Sequence, residues 1–72
     1  VICKVQRPLF PDDGPWLVYD EQRRFHVEVP VADVPRKLRQ AMGTLSKIYC
    51  NLGVDRNTGA LAFHGVVMDQ SW

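Results

Sequence analysis

Apolar and polar residues alternate along most of this chain, and the period of that alternation changes once. Over residues 1–6, Val1, Cys3 and Val5 take one parity while Lys4 and Gln6 take the other, the period-two pattern of a half-buried strand. Trp16-Leu17-Val18-Tyr19 is a second run of strand formers. In a third, Phe25, Val27 and Val29 alternate with His26 and Glu28, and the polar residues 20–23 between these two runs read as a hairpin loop. Over residues 33–43 the period becomes helical, with Val34, Leu38, Ala41 and Met42 at i, i+4, i+7 and i+8. Asp33 is expected as the N-cap, Pro35 in the first turn where its missing N–H costs nothing, and Gly43 as the stop.

Alternation returns over residues 47–54, with Ile48, Cys50 and Leu52 opposed to Lys47, Tyr49 and Asn51. Asp55 to Gly59 then reads as a type I turn followed by a left-handed glycine. Residues 60–68 form the last strand, in which Leu61, Phe63 and Val67 are expected to share a face. Between the first two strands, residues 7–15 carry three prolines, and Pro11-Asp12-Asp13-Gly14 is a turn sequence. The order is β-β-β-α-β-β. It predicts a single small α+β domain over residues 1–72: a mainly antiparallel five-stranded sheet with one helix packed on it.

Composition adds limits. Seventy-two residues close one hydrophobic core and exclude a two-domain enzyme. A 46% hydrophobic content with a formal charge of +1 argues against disorder. No apolar run reaches the length of a membrane span, and no secretory signal is recognised at the start, so the expected location is the cytoplasm. Cys3 and Cys50 are too few for a disulfide scaffold. They are read as free, packed thiols, with a cross-strand disulfide as the alternative.

The elements also have dimensions. A ten-residue helix is about 15 Å long, and five strands span about 19 Å. One short helix does not cover such a sheet, so part of it must meet water, curl on itself or meet another molecule. Apolar residues outside the alternation (Ile2, Leu17, Val66, Met68 and Trp72) favour a partner, and small chains gain buried area by oligomerising. The expected function is a non-catalytic binding or interaction module that forms a homodimer through an open sheet face or an edge strand, with another protein as a further possible partner. Trp72 is expected to dock on the sheet or on a neighbouring subunit.

Candidate chemistry is sparse. His26 and His64 fall on the non-core parity and, with Glu28, Tyr49 and Asn51, could form a polar cluster; His26, His64 and Glu28 are the types that acid–base catalysis uses. Two solvated surface histidines explain the pattern as well, so no enzyme, no metal site and no cofactor is expected. Cys3 and Cys50 run in phase with the core and are not read as nucleophiles. The one organised charge feature is Arg36, Lys37 and Arg39, with Lys47 just beyond the helix. It carries the alternative reading, a weak nucleic-acid-binding protein using a basic helix face. For base stacking on the sheet, only Tyr49 is a candidate aromatic.

Overall fold

The computed structural model describes residues 1–10, 14–55 and 57–68; Asp12, Asp13 and Trp72, singled out above, lie outside the described residues. The chain forms strands β1 (Ile2–Gln6), β2 (Trp16–Asp20) and β3 (Phe25–Val29), a 3-10 turn (Val31–Asp33), helix α1 (Arg36–Met42), and strands β4 (Lys47–Val54) and β5 (Leu61–Met68). All five strands join one antiparallel sheet in the order β3-β2-β1-β4-β5. The first strand of the chain is therefore the central one. Its two neighbours come from opposite halves of the sequence, and β3 and β5 are left as edges.

The helix begins later than its periodicity suggests. Proline disfavours helical geometry in the residue before it, so Val34 is extended, with φ −77° and ψ 122°, and Pro35 takes the N-cap position. Asp33 ends the 3-10 turn instead of capping the helix. Val34 still enters the core beside Leu38 and Met42. Gly43 stops the helix at φ 57°, as expected.

The core lies on one face of the sheet. Cys3 and Val5 of β1, Trp16 and Val18 of β2, Val29 of β3, and Ile48, Cys50 and Leu52 of β4 are buried there under Val34, Leu38 and Met42. So short a helix suffices because the sheet curls. The β4–β5 hairpin folds back across this inner face until a Val27 methyl of β3 lies 3.4 Å from where a Cβ on Gly59 would stand. Val27, Val54, Leu61 and Phe63 complete the closure. The centre of the inner face is thus closed by curling and one helix together, while toward the edge strands it is only half-buried and Val66 of β5 is exposed.

The Asp55 carboxylate accepts from the backbone N–H groups of Asn57 (2.8 Å) and Thr58 (3.3 Å), and Gly59 takes φ 73°. Strand β5 departs from simple alternation. Its register against β4 shifts twice, leaving His64 and Val67 as extra residues in two bulges. Val67 therefore leaves the face it was expected to share with Leu61 and Phe63, and Val66 stands opposite Cys50 instead.

Candidate functional site: the outer face of the sheet

Cross-strand register places the polar parities of all strands in transverse rows on the outer face. The middle row runs His26, Tyr19, Lys4, Tyr49, each residue facing the next on the neighbouring strand. The row toward the loop 7–15 runs Glu28, Leu17, Gln6, Lys47. On the other side, Ile2 faces Asn51, which faces Gly65. Tyr19 is the aromatic that the sequence reading missed. In Trp16-Leu17-Val18-Tyr19 every residue is apolar, so alternation cannot say which pair points outward; Trp16 and Val18 take the core and Tyr19 the outside.

The row is organised around Lys4. In the β1–β4 ladder, Leu52 donates to the Val1 carbonyl (2.8 Å) and Arg7 to the Ser46 carbonyl (3.1 Å). Hydrogen-bonded and non-bonded pairs alternate along such a ladder, so Cys3 and Cys50 form a bonded pair and Lys4 and Tyr49 a non-bonded one. Side chains stand closer in the non-bonded type, and the Lys4 ammonium lies 5.7 Å from the Tyr49 ring centre, within cation–π range. Lys4 also forms an ion pair with Glu21, whose hydrogen bond holds the ammonium above its usual pKa. On the other flank Tyr19 contacts the His26 ring at 5.7 Å with the planes tilted by 41°. An open cleft of about 190 Å³ adjoins the row, lined by Gln6, Arg7, Pro8, Pro15, Leu17 and Glu28.

Cys3 and Cys50, cross-strand partners at a bonded pair, are buried free thiols. Burial raises both thiols, and Cys50, with Cys3 beside it, is pushed up to about 12. These are packing residues.

The other predicted residues separate. His26 and His64 are both exposed but sit on opposite edge strands, β3 and β5. His26 and Glu28 share a strand and a face, while His64 lies over Gly53, its Nε2 3.5 Å from the position of an added Cβ. The acid–base trio is therefore not assembled, and no cluster of three metal-ligating side chains exists among the described residues. Arg36, Lys37, Arg39 and Gln40 are exposed on α1, and the Arg39 guanidinium donates back to the Val34 carbonyl (3.3 Å). Lys47 belongs to the outer face, across the sheet from the helix, so the four cations do not form one stripe. No helix among the described residues is long and apolar enough to cross a membrane.

No protein-family model, curated protein or solved structure matches this chain. Its function is argued from its own residues.

Proposed function

We propose that this chain is a non-catalytic interaction module that pairs with a second copy of itself along the free edge of β5. The reading is carried by the difference between the two edges of the sheet. Edge β3 is five residues long, bears His26 and Glu28, and is followed by Pro30. Charge, shortness and proline are the usual protections against edge pairing. Edge β5 is eight residues long and contains no Asp, Glu, Lys or Arg. Its protections among the described residues are the two bulges, which bend the strand, and contact with α1. Val66 and Val67, consecutive in the chain, are 44% and 49% exposed. Two β5 strands meeting antiparallel across a two-fold axis present each other with the same patch, the self-complementary arrangement of a closed dimer.

The outer face is a poorer seat for a second copy. Lys4 stands at its centre in an ion pair with Glu21, and a protein closing over that pair would strip two charges of water. Interface centres are depleted of such residues.

Sedimentation equilibrium tests the reading. Between about 5 and about 500 µM the mass is expected to rise from 8.2 kDa toward twice that value. Val67→Lys should hold it at the lower value. A single 8.2 kDa species of the unsubstituted chain at every concentration overturns the dimer.

A further inference from the structure

We propose that the Tyr19–Lys4–Tyr49 row is a stacking platform for single-stranded nucleic acid. Three observations carry it. First, two tyrosines, exposed Tyr19 and half-buried Tyr49, stand on the outer sheet face, on the strands that flank β1, with half-buried Lys4 between them. Exposed aromatics on a sheet are a standard means of holding unstacked bases.

Second, the spacing selects the form of the ligand. The rings are rooted two strands apart, about 10 Å. Bases in a duplex strand rise by about 3.4 Å. Only a strand whose bases are splayed apart lays one on each ring, and a duplex does not. Third, groups suited to base edges and phosphates surround the rings: Asn51 and Gln6 on adjoining rows, His26 against Tyr19, and Lys47 two residues from Tyr49.

Charge sets the expected character of binding. Lys4 and Lys47 are matched on this face by Glu21 and Glu28, so stacking and not counterion release supplies most of the affinity. One or two phosphate contacts predict less than about a tenfold loss between about 50 and about 200 mM salt, whereas four contacts from a basic stripe predict about fiftyfold. The proposal is independent of the dimer. Pairing along β5 would continue the sheet and set two such rows on the same side.

Fluorescence anisotropy with a labelled oligothymidylate, and with the duplex it forms with oligoadenylate, tests this. The single strand is expected to bind in preference to the duplex, with the shallow salt dependence above. Tyr19→Ala and Tyr49→Ala should each weaken binding by about fivefold or more, while Tyr19→Phe and Tyr49→Phe retain it and circular dichroism reports an unchanged fold. Any of four results overturns the proposal: no binding of the single strand, equal binding of the duplex, alanine variants that bind like the parent, or loss of binding only in Arg36→Ala and Lys37→Ala. If the tyrosine variants shift the sedimentation mass and leave oligonucleotide affinity unchanged, the face is a protein interface and the proposal also fails.

Discussion

Ile48 and Tyr49 are neighbours in the chain and share no environment. Ile48 is fully buried among Val5, Leu38 and the rest of the inner core, while Tyr49 stands on the outer face beside Lys4. The same contrast holds along β1, β2 and β4. Apart from Asp20, a buried carboxylate held in an ion pair by Arg23, the inner face there is apolar and closed by curling and α1. The outer face holds a row of tyrosines, a lysine and a histidine joined by cross-strand cation–π, ring and ion-pair contacts.

The largest expected effect concerns the inner face. With Cys50 pushed up to about 12 by burial, only about one thiol in ten thousand is ionised at pH 8. Ellman's reagent should therefore react much more slowly with the folded chain than with the chain in denaturant, where two thiols become titratable. Rapid reaction in the folded state would mean that the inner face opens easily, and the contrast between faces would collapse.

Substitution sharpens the same comparison. Ile48→Ala leaves a cavity under α1 and should cost about 2–5 kcal/mol in urea unfolding. Gln6→Ala, on an exposed outer position next to buried Val5, should stay within about 0.5 kcal/mol. Equal costs at the two sites would show that the outer face is structural after all.

The two faces differ equally in how far the sequence reveals them. The inner face is legible wherever alternation is strict, as in Cys3 and Val5 or Ile48, Cys50 and Leu52, because burial there demands apolar side chains and the pleat repeats every second residue. The outer row is not legible. It depends on β1 lying between β2 and β4, a long-range pairing with no local signature, and on the direction of Tyr19 in a wholly apolar run. The bulges at His64 and Val67 are hidden for a related reason, since an extra residue changes the phase without changing composition. The helix start was open to local reasoning. Pro35 forces Val34 out of helical geometry, an effect stronger than the capping preference of Asp33.

The curl that closes the inner face has its own test. Gly59 holds φ 73°, in the left-handed region, and a Cβ there would press on Val27 at 3.4 Å. Gly59→Ala should lower stability by about 1–2 kcal/mol from the backbone conformation. Gly43 also has positive φ, at 57°, but an added Cβ meets nothing within 4 Å. With ψ −123°, Gly43 lies outside the ordinary left-handed well, so Gly43→Ala carries a backbone cost of its own and is no measure of the Gly59 contact. An unchanged stability in Gly59→Ala would leave the meeting of hairpin and β3 without energetic weight.

The smallest effect belongs to Asp55, which serves neither face but holds the hairpin that joins them. Backbone N–H groups of Asn57 and Thr58 donate to its carboxylate and hold its pKa below the usual carboxylate range. A depressed folded-state pKa stabilises the fold above the unfolded value, about 3.9, and that contribution is lost as pH falls through the folded one. Asp55→Asn keeps an oxygen acceptor and removes the charge. Its urea midpoint should therefore lie slightly below that of the unsubstituted chain at pH 7. The gap should narrow below about pH 4 and close once the native carboxyl is protonated. A gap that persists unchanged at pH 2 would assign the loss to turn geometry instead of charge.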